Sequence, residues 1–269
     1  MPNPAFNEKT YDRVENAGRV PPPPQYGGFA QAQAVAAPPV QDLAQVMTVE
    51  GTLNKTVILF ALLVASAAFV WGLLFNGMIA LALPLMIGGL FGAFIVGLVT
   101  SFRPQSARIT APIYAILEGF AVGGISAIMQ SAYHGIVGQA IVATLAVAGI
   151  MLGIYRSGLI KVTDKLKMGV IGATGAIAVI YMISNVALFL FHNALLANFF
   201  WSNSPLSIGV SLLITGVAAF NLLLDFDMIE KGVERRAPKF MEWYAGYGIM
   251  VTLVWLYLEL LRLLSKLRR

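Results

Sequence analysis

Seven long apolar segments dominate this chain, at residues 53–75, 79–101, 111–131, 136–155, 168–191, 205–231 and 240–264. At a rise of about 1.5 Å per residue, each can cross a hydrocarbon layer about 30 Å thick. A segment surrounded by lipid must satisfy its own backbone, which a helix does and an open strand does not. None of the seven shows the period-two alternation of a barrel strand. Turn-forming residues fill the gaps: Asn76-Gly77, Arg103-Pro104, His134-Gly135, Asn203-Ser204-Pro205 and Ala237-Pro238. The predicted fold is an all-α membrane protein, a bundle of seven transmembrane helices whose first partner is the lipid bilayer.

Residues 1–50 are a different material. Four successive prolines, Pro21 to Pro24, precede Gln25, Tyr26, Gly27, Gly28 and a stretch rich in alanine, glutamine and proline. Such a segment buries too little apolar surface to offset its ordering entropy, so a disordered Pro-rich tail is expected. It lacks the apolar core of a signal peptide near its start. The proline run can also dock an aromatic groove on a partner as a polyproline II helix. The expected organisation is therefore a tail over 1–50 and a transmembrane domain over 51–269.

The net charge of +5 is not spread as a nucleic-acid-binding surface would require. Lys9, Arg13, Arg19 and Lys55 precede or open the first span, and Arg103 and Arg108 lie between spans 2 and 3. Arg156, Lys161, Lys165 and Lys167 lie between spans 4 and 5, and Lys231, Arg235, Arg236 and Lys239 between 6 and 7. The loops after spans 1, 3 and 5 contain no lysine or arginine. This alternation predicts a cytoplasmic N-terminus. One cluster, Arg262, Lys266, Arg268 and Arg269, breaks the pattern. Either the rule yields there, or segment 240–264 is partly re-entrant; seven full spans is the favoured reading.

With no cysteine and only His134 and His192, the chain offers no thiolate centre and little for a histidine one. No HExxH, GxSxG or phosphate loop occurs, so an enzyme is not expected and no cofactor is implied. Both histidines fall in predicted outer loops. Trp201, Trp243 and Trp255, with Tyr244, Tyr247 and Tyr257, read as interface anchors. Apart from Lys55 and Lys231 at span edges, no lysine falls inside a span so drawn, which excludes a retinal Schiff base.

Ionisable groups at membrane depth are costly, so each needs a reason. Glu118, Asp225, Asp227 and Glu259 are the candidates. From the nearest span ends, Glu118 and Asp225 both lie roughly 10 Å deep, whereas Glu259 lies roughly 28 Å from the start of its span. Two carboxyls sharing a poorly solvated site form a proton-sensitive element, and their oxygens suit a hard cation such as calcium. Glu118 and Asp225 are thus predicted as a pair and as possible calcium ligands. The alternative has Glu118 hydrogen-bonded within the bundle and Asp225 paired with a loop arginine. Asp227 is read as interfacial, near Glu230 and Lys231, and Glu259 as the i, i+3 partner of Arg262. Gly119, Gly123 and Gly124 form a small-residue face that packs inward on span 3.

The stretch AAFNLLLDFDMIEKG at 218–232, followed by VTLVWLYLELLRLLSKL at 251–267, resembles the Bax inhibitor family, including its bacterial YccA-like members. The third span, APIYAILEGFAVGGISAI at 111–128, is similar to that family's glycine-rich helix. The resemblance covers residues 53 to 267, strongest after 205, and leaves out the tail. It implies seven helices with the seventh central, and a calcium leak gated by pH through acids on helices 6 and 7. Asp225 takes the place of the first acid. The second falls to Glu259 in one alignment and to Thr252, seven residues earlier, in the other. The expected function is a pH-sensitive, calcium-permeable leak channel of a bacterial plasma membrane. A proton-coupled transporter using the same carboxyls, and a non-transporting protein whose tail recruits a partner, are the alternatives.

Overall fold

The computed structural model describes residues 46–191 and 195–268. Residues 1–45 with the proline run, His192 and Arg269 lie outside the described residues, whereas residues 46–50, expected as tail, are ordered: Met47 is buried, Thr48 caps the first helix, and Val49 and Glu50 begin it. Seven described helices are long and apolar enough to cross a membrane. They are α1 (Val49–Phe75), α2 (Ile79–Phe102), α3 (Ala107–Ala132), α4 (Ile136–Arg156), α5 (Asp164–Phe191), α6 (Pro205–Glu234) and α7 (Met241–Leu267). A short helix, Leu195–Trp201, lies between α5 and α6.

All seven expected spans are present, and several run about a turn beyond their apolar limits. The hydrogen-bond ladder continues past the point where lipid ends, until a cap or a turn stops it. Thr48 caps α1 by accepting from the Gly51 amide at 2.9 Å. Ser204 caps α6, accepting from the Ser207 amide at 3.3 Å, with Pro205 in the first turn. Gly77 and Gly135 take φ of +72° and +78°, a region that suits glycine, just outside helix ends.

α7 is the central helix. Sixty-one per cent of its most apolar window is buried, against 11–44% for the other six helices. It packs on α1, α3, α4 and α6, with Met250, Leu256 and Leu261 fully enclosed. The outer faces carry large apolar side chains such as Phe91, Phe94, Leu145, Ile171 and Leu213, as contact with lipid requires. Small residues set the closest approach, between α1 and α3. A methyl group on Gly123 would stand 2.3 Å from the Ala67 carbonyl oxygen.

The starts of α1 and α7 share one end of the bundle. Glu242 Oε1 accepts from the Thr48 amide at 3.0 Å and the Thr48 hydroxyl at 2.9 Å, and pairs with Lys239 at 3.0 Å. Two helix N-termini, each partially positive, therefore converge on one fully buried carboxyl side chain. The Met47 amide adds a bond to the Ala237 carbonyl at 2.8 Å. Glu242→Ala should cost about 1–3 kcal/mol, because the Thr48 donors lose their acceptor while Lys239 can rehydrate. Thermal unfolding in detergent measures it, and Glu242→Gln, which keeps one acceptor oxygen, should lose less.

The far end of α7 lies beside the α3–α4 turn, where Arg268 donates to the His134 carbonyl at 2.8 Å and to Gln139 Oε1 at 2.6 Å. α7 therefore runs the length of the bundle, and the re-entrant alternative does not describe it. The basic residues that break the charge pattern are absorbed into this end. Lys266 is 3% exposed and donates to the Ser207 carbonyl (3.1 Å), Ser207 Oγ (2.7 Å) and Ser211 Oγ (2.6 Å). The expectation that no lysine lies inside a spanning helix is thus corrected. α7 continues three residues past the apolar limit at 264, and the serines of α6 replace water for the ammonium.

The interface-anchor reading is also corrected for part of α7. Tyr247 and Tyr257 face the bundle interior, donating to the Gly97 carbonyl at 3.2 Å and meeting Ser126 Oγ at 2.6 Å. A helix covered on most sides turns its aromatic residues toward neighbours, and buried phenols then need partners. Trp243 lies under the Lys55 ammonium, and Trp201 under the Arg262 guanidinium.

Candidate functional site

The sixth helix brings one acid into the seam with α7 among otherwise apolar residues. Asp225 is partly buried, and its Oδ2 is out of solvent contact without a hydrogen-bond partner. Across the seam stand Gly248 and Thr252, one turn apart on α7 and hence on one face. A methyl group added at Gly248 would lie 3.5 Å from Asp225 Oδ1 and 3.6 Å from the Met228 methyl. The Thr252 side chain lies close to the Asp225 carboxyl. Of the two positions left open by the alignments, Thr252 is the one facing Asp225.

Glu118 is held differently. It is half-buried on α3, close to Tyr114 one turn earlier on its own helix. Tyr114 meets Tyr247 of α7 edge-on, with ring centroids 5.0 Å apart. No hydrogen bond between Glu118 and Asp225 is found among the described residues, and the two acids have different neighbours. Equal depth is not adjacency. The neighbours of the two acids on α7 are consecutive residues, Tyr247 for Glu118 and Gly248 for Asp225, which point about 100° apart around a helix.

Glu259 belongs to another network. At 1% exposure it accepts from Tyr181 at 2.9 Å and Trp255 at 3.3 Å, and pairs with Arg262 at 3.3 Å. Arg262 also donates to Tyr181 and lies over its ring. The predicted i, i+3 pair is present, and it lies about 10 Å along α7 from Thr252. Asp227 sits near the opposite end of the bundle between two cations, Lys231 and Lys167, each at 2.7 Å. Its neighbour Glu230 accepts from Tyr155 of α4.

No group of three or more His, Cys, Asp or Glu side chains able to hold a metal is found among the described residues. Calcium takes six to eight oxygen ligands, typically. Asp225 and Thr252 supply too few for a resident site. Sequence reasoning missed Glu242 altogether and took Lys266 only as part of a terminal basic cluster. The signal for Glu242 was faint: an acid three residues after Lys239, opposite a threonine that opens a helix.

Seven membrane-spanning helices, the seventh of them central and faced by an acid of the sixth, define a multi-pass α-helical membrane protein. The sequence matches the family described as Bax inhibitor 1 like over residues 3–269, and the chain belongs to that family. The match takes in the proline-rich segment as well as the spans. No curated protein and no solved structure matches the chain.

Proposed function

We propose that this protein is a pH-responsive leak channel for calcium in a bacterial plasma membrane, with its N-terminus in the cytoplasm. The orientation rests on the alternation of basic loops, and the bacterial setting on the YccA-like resemblance. The function rests on family membership and on one observation, the unpartnered buried Oδ2 of Asp225 in the α6–α7 seam. Its neighbours Gly248, Thr252 and Met228 are all uncharged. Gain or loss of a proton therefore changes the charge of the seam without a cation beside it to offset the change. A charged carboxylate draws in donors and water, whereas a neutral carboxyl lets α6 close on α7. Glu118, reaching α7 through the Tyr114–Tyr247 contact, is the second acid able to bias the same helix.

Calcium flux through the purified full-length protein in liposomes, from about pH 5 to about pH 8, tests this reading. A single carboxyl changes its charged fraction by at most about tenfold per pH unit, so wild-type flux should vary within that limit. Asp225→Asn should leave flux flat across the range, and Glu118→Gln should shift the profile without flattening it. A pH response intact in Asp225→Asn sinks the assignment. Saturable solute uptake driven by a proton gradient would favour a transporter instead.

A further inference from the structure

α1 and α4 are not packed against one another, although both pack on α3, and α4 also packs on α7. Between them opens a cavity of about 980 Å³, lined by Val64 and Trp71 of α1, Ser126 of α3, Leu145 of α4, and Val254 and Tyr257 of α7. Its rim is continuous with the lipid-facing surface, since Val64 is 59% exposed and Leu145 64% exposed. It is as large as the larger ligand pockets of proteins, which reach about 1,000 Å³.

The wall has little to offer water. The Ser126 and Tyr257 hydroxyls bond each other at 2.6 Å. The Thr144 hydroxyl donates to the Ala140 carbonyl at 2.7 Å, and the Asn76 amide donates to the Gly72 carbonyl at 2.7 Å. A volume of this size would take about 30 waters, each needing two to four polar partners. Apolar cavities of this kind stay dry and take apolar guests. An empty space at membrane depth also forfeits the dispersion contacts of its lining.

We infer that this cavity is a binding site for one acyl chain of a bilayer phospholipid, entering sideways between α1 and α4. The chain supplies the apolar contacts that α1 and α4 do not give each other, and its head group stays outside at the membrane surface. One wall of the cavity is α7, the helix that faces Asp225, so the bound chain braces α7 from another side.

Native mass spectrometry of the full-length protein, purified in a delipidating detergent and supplied with palmitoyl-oleoyl phosphatidylcholine, tests this. Wild type should retain one phospholipid. Ala68→Trp, which fills the cavity from an exposed position on its lining, should weaken retention by at least about tenfold. Leu90→Trp, on the lipid-facing surface of α2 away from the cavity, should leave it unchanged. Phosphatidylcholine carrying a diazirine on its acyl chain gives a second measurement on wild type alone, and should cross-link to Val254 and Tyr257. The inference is overturned if wild type retains no lipid, if Ala68→Trp retains as much, or if Leu90→Trp loses as much. It is equally overturned if the cross-links fall only on outward residues such as Phe91 and Phe94, or if a lipid-free dimer occupies this face.

Discussion

Arg262→Met should destabilise the protein by about 3–5 kcal/mol, the range for removing one member of a buried ion pair. The change strands Glu259, which is 1% exposed and would keep only the Tyr181 and Trp255 donors. It also removes the guanidinium from the Tyr181 and Trp201 rings, where it lies 5.0 and 5.4 Å from the centroids. Methionine fills similar volume, so the loss reports charge and not an empty space. Glu259→Gln should cost less, because Arg262 is 19% exposed and retains its aromatic neighbours. The double variant should recover part of the loss, since no charge is then left alone. Unfolding free energies in detergent measure all three; a double variant as unstable as the sum of the singles would show that the two residues act independently.

Gly123→Ala should rank next and act by a different route. The new methyl would lie 2.3 Å from the carbonyl oxygen and 2.6 Å from the Cα of Ala67, both backbone atoms that no rotamer change can move. α1 and α3 must separate, and overpacking of this kind costs about 1–3 kcal/mol or somewhat more. Helices in lipid associate through close packing rather than by escaping water, so a lost close approach is not easily compensated. Gly149→Ala is the control. Nothing lies within 4 Å of a methyl at that position, and a mid-helix alanine gains up to about 1 kcal/mol over glycine. If both variants unfold at the same temperature, the α1–α3 contact does not limit stability.

These two cases also mark what could be read from residues alone. The seven spans follow from apolar length, and the Glu259–Arg262 pair from i, i+3 spacing within one helix. Gly119 and Gly123 announced a small-residue face by their spacing. None of these needs knowledge of which helix lies next to which. The partner of Asp225 does need it. α6 is apolar around most of its circumference, so no polar stripe shows which side faces lipid and which faces α7. Depth placed Glu118 level with Asp225, but rotation about α7 separates them. Lys266 was misread for a related reason. A lysine just past an apolar run reads as solvated, and only the cross-helix position of Ser207 and Ser211 shows that it is enclosed.

The bond between Thr48 and Glu242 joins residues 194 positions apart. In a chain inserted from its N-terminus, the first helix emerges long before the acceptor for its end exists. Its opening amides must wait in the membrane surface through the arrival of five more helices. A product lacking the seventh helix leaves those donors open and the bundle without its centre. The same contact that fastens the finished protein is thus missing from any chain that stops before the seventh helix.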